Sequence, residues 1–186
     1  GSKFLYSGCG YGGSCFPKDV KALIKTAEKN GYIMRVLNAV EDVNKYQKEI
    51  VFQKLSRHYG GVLNGKTIAI WGLAFKPETD DMRESTALII IQLLKKAGCN
   101  IRVFDPIAMD ECRRRIGNIV EYATDMYSAV LNADALLLIT EWKLFRLPSW
   151  GLILKSMNCP VVIDGRNIYD EQELTGQGFK YYCIGK

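Results

Sequence analysis

A glycine-rich stretch around a single cysteine is the part of this sequence best suited to chemistry. It reads Gly12-Gly13-Ser14-Cys15-Phe16-Pro17-Lys18-Asp19 and is preceded by Gly10. The glycines allow backbone conformations that other residues avoid, and they let a ligand approach the backbone closely. Pro17 suits the first position of a helix, because its missing N–H has no partner there. We therefore predict a loop followed by a helix over residues 19–30 that stops at Gly31.

Cys15 at such a helix start has the features of a nucleophile. Unpaired backbone N–H groups and the positive end of the helix dipole converge there, and Lys18 adds a cation. Both effects favour the thiolate, which is the reactive form. Asp19 lies one helical turn further on and shares a face with Cys15, although an acid in a first turn also commonly stabilises the helix dipole. A buried, inert cysteine is the alternative, but the crowding of glycines, lysine and carboxylate around one thiol favours the chemical interpretation.

Cationic side chains follow two apolar runs in the second half of the chain. Phe75 and Lys76 come after the run at residues 67–73, and Arg166 follows the run that ends at Asp164. Ligands of parallel sheets sit at the carboxyl ends of the strands. Lysine suits phosphate as a point charge, and arginine offers a planar fork for pyrophosphate or sugar hydroxyls. Either could be an ordinary surface charge, yet their matching positions favour a shared anionic ligand.

The elements that must position these groups divide the chain into two predicted parts. Over residues 65–186, strand and helix patterns alternate, which predicts an α/β fold with a Rossmann-like parallel sheet. The expected strands cover residues 67–73, 101–104, 135–140, 161–164 and 181–184, and the expected helices cover residues 84–97, 110–116 and 126–132. Residues 1–64 are expected to form the cysteine loop and, after it, a helical segment that precedes the sheet domain.

That helical segment is predicted to include one long helix over residues 33–59. Met34, Leu37, Val40 and Val43 recur at helical spacing along it. Such an apolar stripe needs a cover, which a further domain or a second subunit would provide. We therefore expect at least a homodimer.

Composition narrows the class of protein. The 186 residues are 48% hydrophobic and 24% charged, which is ordinary for a globular protein, and no apolar run has the length of a membrane span. The six cysteines form no CxxC pair and no zinc signature, so we expect free thiols, a cytoplasmic setting and no metal.

The net charge of +5 is modest, and Arg113-Arg114-Arg115 lacks interleaved aromatics, so a solvated helix face is favoured over a nucleic-acid site. His58 before Gly60-Gly61 is interpreted as a residue at a helix end.

Three ordered motifs closely resemble those of UDP-glucose 6-dehydrogenases. They are Lys3-Phe4-Leu5-Tyr6-Ser7-Gly8-Cys9-Gly10-Tyr11 continuing into the cysteine stretch, then Gly72-Leu73-Ala74-Phe75-Lys76-Pro77 with Asp80-Asp81-Met82-Arg83-Glu84-Ser85, and finally Asp164-Gly165-Arg166-Asn167. One glycine motif alone would be a weak signal, whereas three in order along nearly the whole chain are specific.

The resemblance implies an enzyme that oxidises C6 of UDP-glucose twice, from alcohol to carboxylate, with two NAD. Cys15 would form a thiohemiacetal and then a thioester, and Asp19 would position or deprotonate the hydrolytic water. The resemblance places the nucleotide sugar against Phe4, Leu5, Tyr6, Ser7, Gly8, Cys9, Gly10, Phe75, Lys76 and Arg166. It places NAD against Cys15, Phe16, Pro17, Lys18 and Arg83. Asp80 and Asp81 are expected to cap the following helix and to pair with Arg83.

The resemblance also suggests that this is the C-terminal portion of such an enzyme, inactive without an NAD-binding domain. The first strand is followed by Gly72-Leu73-Ala74-Phe75-Lys76 rather than GxGxxG, so this domain itself is not expected to grip NAD. Asp105, before Pro106, is interpreted as a turn or cap residue. Alternatives are oxidation of GDP-mannose or UDP-N-acetylmannosamine, or a non-catalytic nucleotide-binding module. Gly1-Ser2 is either native or a cloning remnant.

Overall fold

A six-stranded parallel sheet forms the centre of the molecule. The structure is a computed structural model that describes residues 5–186. Its strands are β1 (Thr67–Trp71), β2 (Asn100–Phe104), β3 (Glu121–Tyr122), β4 (Ala135–Leu138), β5 (Val161–Asp164) and β6 (Lys180–Cys183), in the spatial order β3-β2-β1-β4-β5-β6. Every neighbouring pair is parallel. The predicted α/β class with a Rossmann-like parallel sheet is therefore confirmed.

Helices cover both faces of this sheet. They are α1 (Cys15–Lys29), α2 (Arg35–Gln47), α3 (Ile50–His58), α4 (Thr86–Lys96), α5 (Met109–Ile116), α6 (Met126–Val130), α7 (Trp150–Ser156) and α8 (Glu171–Gly176), with a 3₁₀ helix at Lys143–Phe145. In the described part of the chain, no helix is long and apolar enough to cross a lipid bilayer.

The strands β1, β4 and β5 are nearly continuous apolar runs in the sequence, because helices bury both faces of the sheet. Every residue of β4 and β5 is buried. On one face, Val51 and Leu55 of α3 join Ile90 of α4 against Ile68 and Ile70 of β1. On the other face, the helices α6, α7 and α8 contribute to a second apolar cluster that includes the stacked rings of Trp71 and Phe145. Although α3 precedes residue 64, it is thus a structural part of the sheet layer.

The single long helix predicted over residues 33–59 is wrong, because α2 and α3 are separate. Lys48 and Glu49 join them with helical backbone angles, but the N–H of Glu49 donates to the carbonyl of Tyr46, three residues back, at 3.1 Å. Such a tightened turn interrupts the regular hydrogen-bond pattern. This turn contains Lys48, whose side chain faces inward and is only 4% exposed.

The helix after the cysteine loop begins earlier than predicted. Cys15 is its first residue and Pro17 its third, because the first four N–H groups of a helix have no intrahelical partner and proline fits anywhere among them. The helix ends at Lys29, just before Gly31 at φ +74°. The expected capping of α4 by Asp80 and Asp81 is also wrong, since Ser85 Oγ accepts from the Ala87 N–H at 3.2 Å.

Candidate functional site

A cavity of about 1260 Å³ opens where the cysteine loop meets the sheet. The loop lines it with Tyr6, Gly8 and residues 10–16, and α2 contributes a wall that includes Val36 and Val43. The remaining wall comes from residues that follow three strands: Phe75 and Lys76 after β1, Glu141 after β4, and Arg166 after β5. The carboxyl edge of the sheet therefore faces the cavity, as is usual for ligand sites in parallel sheets.

The cysteine loop is anchored by hydrogen bonds to its backbone. Gln47 Nε2 donates to the carbonyl of Gly8 at 2.7 Å, and Thr86 Oγ1 donates to the carbonyl of Cys9 at 2.9 Å. The N–H of Tyr11 donates to Asn44 Oδ1 at 2.8 Å. Sequence reasoning did not single out Asn44, Gln47 or Thr86. No local sequence pattern identifies a polar side chain that forms a hydrogen bond with the backbone of a loop far away in the sequence. Together these bonds hold the loop in one conformation.

Two glycines allow the loop to lie directly on the segment after β1. A Cβ at Gly13, which has φ +93°, would stand 2.8 Å from the Phe75 ring. A Cβ at Gly12 would stand 2.4 Å from the carbonyl oxygen of Glu84. The N–H of Gly13 donates to the carbonyl of Arg83 at 2.8 Å. These contacts place Cys15 beside the segment that carries Phe75 and Lys76.

Cys15 presents an exposed thiol to the cavity from the first residue of α1. Its Sγ lies 3.7 Å from Ser14 Oγ. Phe16 also lines the cavity, and its ring contacts the Tyr11 ring edge-on with the centroids 4.8 Å apart. Pro17 is buried, whereas Lys18 and Asp19 are exposed and are not among the described residues of the cavity wall.

Arg83 lies outside the cavity wall and is paired with Asp81. Its Nη2 and Nε donate to Asp81 Oδ2 and Oδ1 at 2.8 and 3.0 Å. The predicted pairing is therefore present, and the hydrogen bonds from Arg83 hold the pKa of Asp81 below its ordinary value.

Arg166 is held under the start of the cysteine loop. Its Nη2 donates to Glu141 Oε1 at 2.7 Å, and its backbone N–H donates to Asp164 Oδ1 at 2.8 Å. A Cβ at Gly8 would stand 2.9 Å from Arg166 Nη1. The neighbouring Cys9 is buried, and this burial raises the pKa of its thiol despite the opposing charge of Arg166. Cys9 is therefore a packing residue beside the cavity, and it is not among the described residues of the cavity wall.

The remaining predicted substrate residues lie at the start of the loop. Gly8, Gly10 and Tyr6 line the cavity, and Tyr6 is 67% exposed. Leu5 is 84% exposed, and Ser7 Oγ accepts from Asn167 Nδ2 at 3.0 Å; neither is among the described wall residues. Phe4 lies outside the described residues.

Asp105 proves to be a structural residue at the end of β2. Its Oδ2 accepts from the N–H groups of Leu73 and Ala74 at 2.7 and 3.3 Å and from Trp142 Nε1 at 3.0 Å. Its Oδ1 accepts from the Ala108 N–H at 2.8 Å, just before α5. The turn or cap role predicted for Asp105 is confirmed. Residues 5–186 hold no cluster of three or more side chains suited to a metal ion.

Two family profiles match the chain. The profile described as the UDP binding domain of the UDP-glucose/GDP-mannose dehydrogenase family matches residues 69–171. The profile of the central domain of the same family matches residues 1–46.

Named relatives agree with these matches. The chain is 46% identical to a UDP-glucose 6-dehydrogenase of Pseudomonas aeruginosa and 42% identical to one of Rhizobium meliloti, covering 100% of this chain and 42% of each relative. A solved UDP-glucose dehydrogenase structure from the archaeon Pyrobaculum islandicum superposes with a TM-score of 0.81 at 32% identity, over 96% of this chain and 38% of that one. The chain thus spans about two fifths of the length of these relatives.

Proposed function

Because the chain belongs to the UDP-glucose/GDP-mannose dehydrogenase family, we propose that the complete protein oxidises UDP-glucose to UDP-glucuronate with NAD. This chain supplies the nucleophile and the nucleotide-sugar cavity of that enzyme. One observation carries the proposal: the exposed thiol of Cys15 opens on a cavity of about 1260 Å³ that Lys76 and Arg166 also line. A thiol, cationic side chains and room for a whole nucleotide sugar meet there.

Binding the sugar nucleotide falls to the cavity walls. The anchored loop offers backbone groups at its glycines, where a ligand can approach closely. Phe75 offers a flat apolar surface, and Lys76 offers a charge for the diphosphate. The anchoring bonds from Asn44, Gln47 and Thr86 hold these groups ready before the ligand arrives, which reduces the entropy lost on binding.

Cys15 performs the covalent step. Once C6 of the sugar is an aldehyde, the thiolate adds to it, a C–S bond forms, and the carbonyl oxygen takes a proton to give a thiohemiacetal on Cys15. Loss of a hydride from the same carbon and of the proton from its hydroxyl group leaves a thioester. Water then adds to the thioester carbonyl, the C–S bond breaks, and the carboxylate and the free Cys15 thiol are released. Covalent attachment retains the aldehyde and divides a difficult oxidation into easier steps.

NAD would supply the hydride acceptor for both oxidations. The sheet of this chain does not offer it a cradle, because the N–H groups of Leu73 and Ala74 already donate to Asp105. The residues around Cys15 fit the cofactor better. Lys18 is an exposed cation three residues after Cys15, and Phe16 is an exposed ring. Arg83 is also exposed, and its carbonyl accepts from the N–H of Gly13, two residues before Cys15, at 2.8 Å. We expect these residues to contact one side of an NAD molecule that another part of the complete protein would hold.

Asp19 would act on the hydrolytic water. It is an exposed carboxylate one helical turn after Cys15, so it can reach a water molecule approaching the thioester from solvent. Its proposed task is to orient that water and accept a proton from it. The six free thiols, Cys15 exposed among them, suit a reducing cytoplasmic environment.

The proposal includes assembly into at least a homodimer. On α2, Tyr46 is 59% exposed, and Tyr32 and Ile33 just before the helix are each 65% exposed; none of the three is among the described residues of the cavity wall. Exposed apolar side chains on one element mark contact surfaces. Sedimentation of the complete protein tests this part, and a monomer at every concentration would contradict it.

The decisive test is Cys15→Ser in the complete protein. We expect formation of UDP-glucuronate to fall by several orders of magnitude, since the covalent route is lost. Cys159→Ser is the matched control, because Cys159 is a half-buried thiol that is not among the described wall residues, and it should retain activity. GDP-mannose and UDP-N-acetylmannosamine, tested beside UDP-glucose, distinguish the alternative substrates. Near-normal acid production by Cys15→Ser would remove Cys15 from the mechanism.

A further inference from the structure

The first turn of α1, which carries Cys15, lacks the usual local supports of a helix start. Ser14 is the N-cap residue, but its side chain makes no capping hydrogen bond among the described residues. The first turn also contains no acidic residue to interact with the helix dipole. Helix ends without such groups tend to fray. A thiol on this turn therefore needs support from outside the helix to keep one orientation.

Tyr11 of the cysteine loop provides such support through its ring. The ring contacts the Phe16 ring edge-on, with the centroids 4.8 Å apart and the planes at 73°. Aromatic pairs in this arrangement attract each other beyond the burial of their surfaces. Phe16 is the second residue of α1 and directly follows Cys15. A contact that fixes the Phe16 ring therefore also fixes the turn that carries the thiol.

Tyr11 is in turn held by α2 at three of its atoms. Its N–H donates to Asn44 Oδ1 at 2.8 Å, and Asn44 Nδ2 donates to its carbonyl at 3.3 Å. Its hydroxyl donates to Oε1 of Glu41, three residues before Asn44 on the same helix. The two backbone bonds fix where Tyr11 lies. The bond to the carboxylate, which is stronger than one to a neutral acceptor, fixes where its ring points.

We propose that Tyr11 and Glu41 are positioning residues: Glu41 fixes the Tyr11 ring, and this ring holds Phe16 and thereby orients Cys15. The inference rests on the proposed function, in which the Cys15 thiolate adds to an aldehyde. Tyr11 also lines the cavity, but its one hydroxyl proton is donated to Glu41, so its role is to position rather than to bind. Burial and the bond to Glu41 raise the pKa of Tyr11, which keeps the hydroxyl a donor.

The test is oxidation of the C6 aldehyde of UDP-glucose by the complete protein with NAD, because this substrate isolates the step in which Cys15 acts. Tyr11→Phe keeps the ring and removes its tether, and Glu41→Ala removes the acceptor. Each should lower the single-turnover rate of acid formation by about ten-fold or more, since small displacements of a reacting group are costly. The affinity for UDP, measured by calorimetry, should change by less than about two-fold.

Two further variants separate positioning from a general loss of stability. Glu41→Gln keeps an oxygen that accepts a hydrogen bond, so it should retain the rate within about three-fold. The double variant Tyr11→Phe/Glu41→Ala should be no slower than either single variant, because all three lack the same bond.

Hydrogen exchange gives a readout that does not depend on activity. Amide protection at the start of α1 should fall in Tyr11→Phe and in Glu41→Ala. Tyr59→Phe is the matched control, because it also removes the hydroxyl of a half-buried tyrosine, which donates to the carbonyl of Asp134 at 2.7 Å away from the described cavity wall. It should change neither acid formation nor exchange in α1. Unfolding temperatures of all variants identify any that fail to fold.

The inference is overturned if Tyr11→Phe and Glu41→Ala oxidise the aldehyde at the parent rate, if they weaken UDP binding as much as they slow the reaction, or if protection in α1 is unchanged. The proposed function fails in a different way, through absence of acid production by the parent protein. In that case the exchange measurement still decides whether Tyr11 fixes the turn that carries Cys15.

Discussion

Gly12 lies so close to Glu84 that a Cβ at position 12 would stand 2.4 Å from the Glu84 carbonyl oxygen. The contact joins the cysteine loop to the segment before α4. Because the obstructing atom belongs to the backbone, it cannot swing aside as a flexible side chain would. The position of Cys15 therefore depends on the absence of a side chain at Gly12.

Replacing Gly12 by alanine should displace the loop. We expect Gly12→Ala to lower the free energy of unfolding by about 1–3 kcal/mol, the usual cost of overpacking, and to reduce acid production further than the stability loss explains. Denaturant titration and activity assays measure the two effects. Gly151→Ala is the control: its added Cβ meets nothing within 4 Å in α7, so it should be neutral or slightly stabilising. If Gly12→Ala changes neither the free energy of unfolding nor acid production, the loop can shift to accommodate the added Cβ.

Glu84 ties three elements together. It accepts from Lys21 of α1 at 2.7 Å and from the buried Lys48 at 3.2 Å. Glu84→Gln leaves Lys48 without its carboxylate, and we expect a loss of about 1 kcal/mol in unfolding free energy. This is smaller than for a fully buried pair, because the Glu84 side chain is 42% exposed and solvent screens it.

The effect of Glu84→Gln should depend on pH. Hydrogen bonds from Lys21 and then Lys48 hold the pKa of Glu84 below its ordinary value. A carboxyl whose pKa is lowered by folding stabilises the fold above its unfolded-state pKa, and this contribution disappears as pH falls through the folded-state value. The difference between parent and variant should thus be full near neutral pH and shrink below about pH 4.5. Glu171→Gln, which removes an exposed pair with Lys186, should show a smaller difference. A pH-independent difference would contradict this account.

Alkylation should distinguish Cys15 from the other thiols. Cys15 is the exposed cysteine, Cys159 is half-buried, and Cys9, Cys99, Cys112 and Cys183 are buried. Under native conditions, iodoacetamide should modify Cys15 first, because access limits the others. Bound UDP-glucose should slow this reaction and leave that of Cys159 unchanged. Peptide mass spectrometry over time measures both rates, and equal labelling of Cys15 and Cys159 would contradict the exposure difference.

Arg83→Lys tests the proposed cofactor contact. Lysine keeps the charge but loses the planar fork that now binds both oxygens of Asp81. If Arg83 contacts NAD, the affinity of the complete protein for NAD should fall by about ten-fold, and its affinity for UDP should not change. Arg113→Lys, on the surface of α5, is the control. Equal NAD affinity in parent and variant would remove Arg83 from the cofactor site.

The alternating strand and helix patterns were sufficient to predict the fold class. Runs such as Ala135–Leu138 and Val161–Asp164 are apolar throughout because both faces of the sheet are covered, and this burial is visible residue by residue. The strand β3 was missed because two residues at a sheet edge carry no such pattern. The boundary predicted at residue 64 remains a prediction, since α3 precedes it and yet packs on the sheet through Val51 and Leu55.

The sequence by itself determined the parallel sheet and the cysteine loop before a helix, because these depend on local backbone preferences and on runs of buried side chains. It also indicated which strand ends face the cavity, through Lys76 and Arg166. Only the tertiary structure decided that Glu141 neutralises Arg166 and that Lys48 turns inward to Glu84. Those pairs join residues 25 and 36 positions apart. Pairing at such separations depends on how whole elements pack, which local spacing does not encode.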